Sequence, residues 1–229
     1  MTQLLLDLKP EQIPTLDNYV AGINAELVGR LRALAGPGGF DMIYLWGPAG
    51  SGRSHLLAAT AQLAAARRAA TLIGGADVGA ELPLAPGGLL VIDDVDALSA
   101  DAQVALFRAF NSARLVGLSL LLAGPVPPLR LDVREDLRTR IGQALIYELK
   151  PLSDEEKSAA LRSHALLRGM KVDDGLVQYL LRHGRRDLPS LMAVLNGLDR
   201  ASLEQQRPAT LPLLKEVMEL QLQFDSDPE

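Results

Sequence analysis

The fold is decided by an apolar run that leads straight into a glycine-rich loop, MIYLWGPAGSGRSHLL at residues 42–57. Residues 42–46 have the length of a buried strand, and the leucines after residue 54 favour a helix. Residues 47–54 between them have the spacing of a phosphate-binding P-loop, G-x-x-x-x-G-K-[ST], with arginine at the lysine position. Glycines let successive backbone amides turn toward phosphate oxygens, and the helix that follows directs its positive end at them. The stretch therefore predicts a strand–loop–helix unit that binds a nucleotide.

The candidate phosphate-binding residues are the eight that form this loop: Gly47, Pro48, Ala49, Gly50, Ser51, Gly52, Arg53 and Ser54. We expect the hydroxyl of Ser54 to hold Mg²⁺. Arg53 keeps the positive charge of lysine but replaces a compact ammonium by a planar fork, a change that bears on the catalytic geometry. The alternative is a plain glycine-rich turn, which the strand before the loop and the helix after it disfavour.

A second, acidic motif lies about forty residues further along the chain, in LLVIDD at residues 89–94. In P-loop ATPases the acid at the position of Asp93 orders the Mg²⁺ shell, and the next acid, here Asp94, polarises the attacking water. An apolar run that ends in two acids is weak evidence alone. It gains weight after a P-loop, because we expect a neighbouring parallel strand to bring both motifs to the same edge of the sheet.

Strand and helix patterns alternate up to residue 150 and change there. Strands are predicted at 42–46, 71–73, 89–92, 118–123 and 144–147, and helices at 18–34, 54–68, 101–114 and 133–141. This alternation predicts an α/β fold, a parallel sheet covered by helices on both faces. Past Pro151 a capping box of Ser153 and Glu156 opens a helical region, with helices expected at 174–182, 189–203 and 211–222. We predict a tail over 1–14, a nucleotide-binding domain over 15–150 and a small helical domain over 151–229.

Composition excludes several classes of protein. Apolar residues make up 48% of the chain, enough for a buried core, yet the run at 118–123 is too short to cross a bilayer. The first residues lack the features of a secretory signal, so we expect a soluble, cytoplasmic protein. The net charge of −5 argues against a domain that grips nucleic-acid phosphates. Without cysteines there are no disulfides or thiolate zinc ligands, and we interpret the three scattered histidines as structural or solvated.

Several segments resemble the Hda group of the DnaA-related AAA+ family, and the similarity covers almost the whole chain. They are YLW at 44–46, GRSHLL at 52–57, LKPLSDE at 149–155 and LDRAS at 198–202. The segment TLDNYVAG at 15–22 is similar to the stretch before the P-loop of DnaA, and this resemblance implies that it lines an adenine pocket. The resemblance implies a five-stranded parallel sheet flanked by helices, followed by a helical lid, with ADP or ATP and Mg²⁺ as cofactors. It places Val20, His55 and Arg186 among the nucleotide contacts. The DNA-binding domain of DnaA has no counterpart, so no direct sequence-specific DNA binding is expected.

The same resemblance gives a role to the segment DLRTR at 136–140. It implies that Arg140 is an arginine finger, which reaches into the nucleotide of a neighbouring protomer. An arginine on the γ-phosphate stabilises transition-state charge and is worth on the order of 10³–10⁵ in rate. The alternative is an ordinary surface arginine on a basic short helix.

The tail reads QLLLDL at residues 3–8, which is similar to the motif by which Hda docks on the DNA polymerase III sliding clamp. An extended peptide would project Leu4, Leu6 and Leu8 to one side, into an apolar groove, while Gln3 supplies amide hydrogen bonds. The alternative is an edge strand or a fraying terminus.

Two departures from the family pattern put the protein's own hydrolysis in doubt. Ala123-Gly124-Pro125 stands where Hda has a segment similar to Thr-Gly-Asp. Pro189 stands where a nucleotide-sensing arginine is expected, and Arg185 and Arg186 are the candidate substitutes. The implied function is a regulator that docks on the clamp and stimulates hydrolysis of ATP bound to DnaA, which inactivates the initiator. Two alternatives stay open: a self-assembling ATPase such as a helicase loader, and an adaptor that affects no hydrolysis. Homo-oligomerisation is left open as well.

Overall fold

The computed structural model describes residues 13–185 and 187–224. The chain divides into two compact units, one that ends at Pro151 and one that begins at Leu152. The first unit contains five strands: β1 Met42–Trp46, β2 Ala70–Gly74, β3 Leu89–Asp93, β4 Ser119–Gly124 and β5 Leu145–Glu148. Its helices are α1 Ala25–Ala35, α2 Arg53–Ala65, α3 Ala100–Val116 and α4 Glu135–Ile141.

The five strands form one sheet in which every neighbouring pair is parallel, in the order β2-β3-β4-β1-β5. Successive residues of β3 point to opposite faces, so Leu89 and Val91 join one core while Leu90 and Ile92 join the other. The first core takes in residues of α1 and α2, and the second takes in residues of α3 and α4. The prediction of a parallel sheet with both faces covered is confirmed.

The expected adjacency of the P-loop strand and the acidic strand is wrong, because β4 lies between β1 and β3. In the register, Leu45 of β1 is paired with Ala123 of β4, and Ile92 of β3 is paired with Leu122. The chain passes from β1 to the far edge of the sheet and then returns, so order along the sequence does not give order in space. Both motifs still lie at the carboxyl edge of the sheet, and the end of β4 separates them.

Helix α1 also begins later than predicted, at Ala25 rather than near residue 18. Thr15 and Asn18 close a turn instead: each backbone amide donates to the other's side-chain oxygen, at 2.9 and 3.1 Å. Gly22 then adopts a positive φ of 49° at the start of a short 3-10 helix, Gly22–Asn24, which leads into α1. As a result, residues 15–21 form an irregular segment before the helices.

The amino edge of the sheet is joined by one arginine, Arg68, in the connection between α2 and β2. Its Nη1 donates to the carbonyl oxygen of Gly39 at 2.8 Å and lies within 3.4 Å of the oxygens of Gly87 and Gly88. Its Nη2 donates to the carbonyl oxygen of Leu34 at the end of α1. A single side chain therefore binds carbonyl groups at the end of α1, in the connection from α1 to β1 and in the connection from β2 to β3.

The second unit consists of four helices: α5 Asp154–Leu167, α6 Asp174–His183, α7 Leu188–Glu204 and α8 Leu211–Phe224. The predicted capping box is present, since the Glu156 amide donates to Ser153 Oγ and the Ser153 amide donates to the Glu156 carboxylate. Leucines from all four helices form its core, and Arg168 pairs with Asp199 at 2.8 Å between α5 and α7. Among the described residues, no helix has the length and apolar character needed to span a membrane.

Candidate functional site

The glycine-rich loop joins β1 to α2, as its spacing predicts. Gly50 and Gly52 have φ values of 75° and 92°, conformations that favour glycine. At Gly47 a Cβ would lie only 2.8 Å from the carbonyl oxygen of Leu149, so the loop is closely packed where it leaves the strand. Ser51 is buried, and its hydroxyl has no hydrogen-bond partner among the described residues. Ser54 is exposed in the first turn of α2, where a hydroxyl ligand of Mg²⁺ is expected.

Arg53 folds back over the loop that it follows. Only 13% of its side chain is exposed, its Nη1 donates to the carbonyl oxygen of Gly47 at 3.0 Å, and its Nη2 lies 3.5 Å from Oδ1 of Asp94. The guanidinium therefore connects the P-loop to the acidic end of β3. The loop and the acid motif, separate in the sequence and in strand order, meet at this side chain.

The two acids at the end of β3 have different environments. Asp93 is half-buried and accepts a hydrogen bond from the Asp94 amide at 2.9 Å, while Asp94 is exposed and adopts a left-handed backbone with φ 48°. Partial desolvation, followed by the carboxylate of Asp93, raises the pKa of Asp94, and Arg53 opposes that shift. At Gly75, after β2, a Cβ would lie 2.1 Å from the carbonyl oxygen of Asp94. The turn that holds Asp94 therefore depends on the missing side chain at Gly75.

The irregular segment before α1 lies against the P-loop. The Tyr19 hydroxyl donates to the carbonyl oxygen of Ser51 at 3.4 Å, and a Cβ at Gly52 would lie 2.7 Å from the Tyr19 ring. His55 donates from Nε2 to the carbonyl oxygen of Thr15 at 3.0 Å, with its ring 5.5 Å from that of Tyr19. Burial raises the pKa of Tyr19 to about 12, with a hydrogen bond to Asn24 opposing.

Tyr19 is the one site residue in this segment that sequence reasoning missed, since it selected the neighbouring Val20. Val20 is half-buried in the same segment, and its contact with a nucleotide stays a prediction. An aromatic residue within a segment already assigned to the adenine pocket was the available signal.

The end of β4, between the two motifs, carries no polar side chain. Ala123 is fully buried, and a Cβ at Gly124 would lie 2.5 Å from the Tyr44 hydroxyl, which donates to the carbonyl oxygen of Val126 at 2.7 Å. Burial raises the pKa of Tyr44, so this hydroxyl stays protonated. Alanine therefore occupies the position at which the resemblance leads us to expect a polar, nucleotide-sensing residue.

The candidate finger, Arg140, and the neighbouring Arg138 both lie on α4. The guanidinium of Arg140 lies 5.8 Å from the ring centroid of Phe107, and its Nη1 donates to Gln143 Oε1 at 3.4 Å. Arg138 contacts the carbonyl oxygen of Leu131 at 3.5 Å. Arg134, just before the helix, forms a two-pronged contact with Asp136 instead.

Several predicted site residues lie outside the described part of the chain. They are Gln3, Leu4, Leu6 and Leu8 in the tail, and Arg186 in the helical unit. Pro189 lies in the first turn of α7. The side chain of the N-cap residue Asp187 accepts a hydrogen bond from the Ser190 amide at 2.8 Å. Arg185 precedes that turn.

The described residues contain no cluster of three or more histidine or acidic side chains arranged to hold a metal. A nucleotide-bound Mg²⁺ needs less, because it is held by one or two protein oxygens together with substrate phosphates and water. The Ser54 hydroxyl and the Asp93 carboxylate are oxygen ligands of the type that such a Mg²⁺ requires.

A P-loop and an acid-tipped strand on a five-stranded parallel sheet, followed by a helical unit, define a P-loop ATPase fold of the AAA+ type. The chain is similar in structure to domain III of the replication initiation protein DnaA of Thermotoga maritima, at 17% identity and a TM-score of 0.76, over 91% of this chain and 97% of that one. AMPPCP-bound DnaA from Aquifex aeolicus is 21% identical, with a TM-score of 0.67, over 81% of this chain and 65% of that one. The Holliday junction branch migration motor RuvB of Thermotoga maritima is 18% identical, with a TM-score of 0.70, over 90% and 72%.

The helical unit also matches a model of a protein family. Residues 154–218 match the family model described as Hda, lid domain. Over these residues the chain is similar to the lid domain of Hda, and its overall fold is similar to that of domain III of DnaA.

Proposed function

We propose that the protein is a regulator of replication initiation that binds an adenine nucleotide at residues 47–54 and acts on the ATP held by DnaA. The single observation that carries the proposal is the combination of a P-loop joined to an acidic strand end with an Hda lid domain. ADP, ATP and Mg²⁺ are the proposed cofactors, and the cytoplasm is the proposed location.

The loop geometry supports nucleotide binding. Positive φ values at Gly50 and Gly52 turn the backbone around the start of α2, where amides and the helix dipole favour an anion. The Arg53 guanidinium would also donate hydrogen bonds to the phosphate oxygens. Mg²⁺, held by Ser54 and Asp93, would neutralise part of their charge. Tyr19 and Val20 would then lie on the side of the adenosine. The AMPPCP-bound DnaA of Aquifex aeolicus is consistent with an adenine nucleotide in this fold.

The same site is poorly equipped to hydrolyse its own ATP. Ala123 offers no hydrogen bond to a γ-phosphate or to an attacking water. Asp94, the residue expected to polarise that water, lies beside Arg53. We therefore propose slow turnover by the isolated protein, although the complete acidic motif at Asp93 and Asp94 favours a self-assembling ATPase as the second candidate.

The environment of Arg140 supports a role in trans. Its contacts with Phe107 and Gln143 involve neutral groups, and within residues 13–185 and 187–224 it forms no ion pair with a carboxylate. Arg134, by contrast, is compensated by Asp136, whose pKa it lowers through their hydrogen bonds. A half-exposed, uncompensated guanidinium is suited to meet the γ-phosphate of a partner's ATP.

Docking on the sliding clamp is proposed from the tail sequence alone. Gln3, Leu4, Leu6 and Leu8 would enter an apolar groove of the clamp as an extended peptide. Docking would raise the effective concentration of the regulator beside DnaA molecules that lie near the clamp.

ATP turnover measured with the protein alone, and then with DnaA and the sliding clamp, separates the candidates. We expect negligible turnover alone and accelerated turnover in the mixture. Robust multiple turnover by the protein alone would favour the self-assembling ATPase. Tight nucleotide binding without any acceleration would leave an adaptor.

A further inference from the structure

The guanidinium of Arg53 is shared between two oxygen acceptors. One nitrogen donates to the Gly47 carbonyl oxygen at 3.0 Å, and the other lies 3.5 Å from the Asp94 carboxylate. A planar fork reaches both acceptors at once, whereas the single ammonium of lysine acts as a point charge. Arginine at this position therefore joins the P-loop to the negative charge of Asp94.

The two members of this ion pair differ in their freedom to move. The backbone of Asp94 is fixed by its left-handed turn and by the close approach of Gly75, whose position tolerates no side chain. Arg53 has a long, rotatable side chain at the start of α2, held at its end by the Gly47 carbonyl oxygen and the Asp94 carboxylate. When a phosphate enters the loop, Arg53 is the partner that turns toward it.

We propose that the Asp94 carboxylate and the phosphates of the nucleotide compete for the Arg53 guanidinium, so that Asp94 lowers the affinity of the P-loop for nucleotide. The inference rests on the proposed nucleotide site and adds a regulatory role for Asp94 before any hydrolysis. It follows that Asp94 is released from Arg53 only when a nucleotide is bound.

The competition is measurable as the affinity for ADP in the presence of EDTA, where no Mg²⁺ contributes. Asp94→Asn is the informative change, because asparagine tolerates the positive φ and removes only the charge. We expect this variant to bind ADP about two- to fivefold more tightly than wild type, the range of a partly exposed ion pair. Asp96→Asn removes an equal charge from the exposed side of the same turn, and we expect it to change the affinity by less than half of that factor.

A double-mutant cycle with Arg53→Met separates competition from general repulsion between carboxylate and phosphate. In the Arg53→Met background, Asp94→Asn should improve ADP binding no more than Asp96→Asn does. The inference is overturned if Asp94→Asn has the same effect with and without Arg53, or if it matches Asp96→Asn in the wild-type background. If wild type binds no ADP with or without Mg²⁺, the proposed nucleotide site itself fails.

Discussion

Arg68 and Arg140 belong to the same compact unit but have opposite surroundings. Arg68 binds backbone carbonyl oxygens from two connections at the amino edge of the sheet. Arg140 is half-exposed on α4 and contacts one ring and one amide. An arginine whose terminal nitrogens donate to fixed backbone carbonyl groups stabilises the fold. An arginine whose partners are neutral and movable can turn its positive charge toward a ligand. The comparison predicts that one arginine controls stability and the other controls activity.

The largest effect is expected at Arg140. Arg140→Ala should remove nearly all stimulation of DnaA's ATP hydrolysis, a loss on the order of 10³-fold, because the contact is made mainly in the transition state. Arg140→Lys should restore little, since an ammonium does not reproduce the planar fork. Hydrolysis rates measured beside thermal stability and ADP affinity test this, and the latter two should remain close to wild type.

Arg138→Ala is the matched control on the same helix, because it removes an equal charge. It should retain stimulation. If Arg138→Ala loses stimulation while Arg140→Ala keeps it, the finger is Arg138. If neither change matters, the finger mechanism is wrong for this protein.

Arg68→Ala should lower the free energy of unfolding by about 3 kcal/mol, because several carbonyl groups lose their donor together. Urea denaturation followed by circular dichroism measures the change. Arg67→Ala, which removes an exposed charge one residue earlier, should cost less than about 0.5 kcal/mol. Equal losses in the two variants would contradict the structural role assigned to Arg68.

Asp93→Asn should weaken ADP binding in Mg²⁺ about tenfold and leave binding in EDTA unchanged, since its carboxylate acts through the metal. Calorimetric titration under both conditions measures the two affinities. A similar loss in EDTA would indicate that Asp93 maintains the turn after β3 rather than the metal shell.

The smallest effect on stability is expected in the tail. Replacing Gln3, Leu4 and Leu6 together by alanine should abolish binding to the sliding clamp while the melting temperature shifts by no more than about 1 °C, because a terminal peptide contributes little to a core. Clamp binding by surface plasmon resonance and thermal denaturation are the two measurements. A large fall in melting temperature would mean that these leucines belong to the core.

Local signals in the sequence predicted the elements well, because a strand of five apolar residues and a P-loop are defined by their own residues. Strand β1 at 42–46 and the capping box at Ser153 needed no distant partner. The adjacency of β1 and β3 was predicted wrongly. The position of β4 between them depends on how the crossover connections arrange the strands in the sheet. The pairing of Arg53 with Asp94 and the approach of Tyr19 to Gly52 are likewise contacts between distant segments, which spacing along the chain does not encode.

The central claim is that this protein accelerates hydrolysis of the ATP bound to DnaA. In its most direct test, only the nucleotide bound to DnaA carries a label. DnaA carrying ATP labelled at the γ-phosphate is mixed with this protein loaded with unlabelled ADP and with clamp-loaded DNA, and release of labelled phosphate is followed in a single turnover. The account predicts a strong acceleration that disappears with Arg140→Ala. An unchanged release rate, with wild-type protein that binds ADP and the clamp, would contradict it.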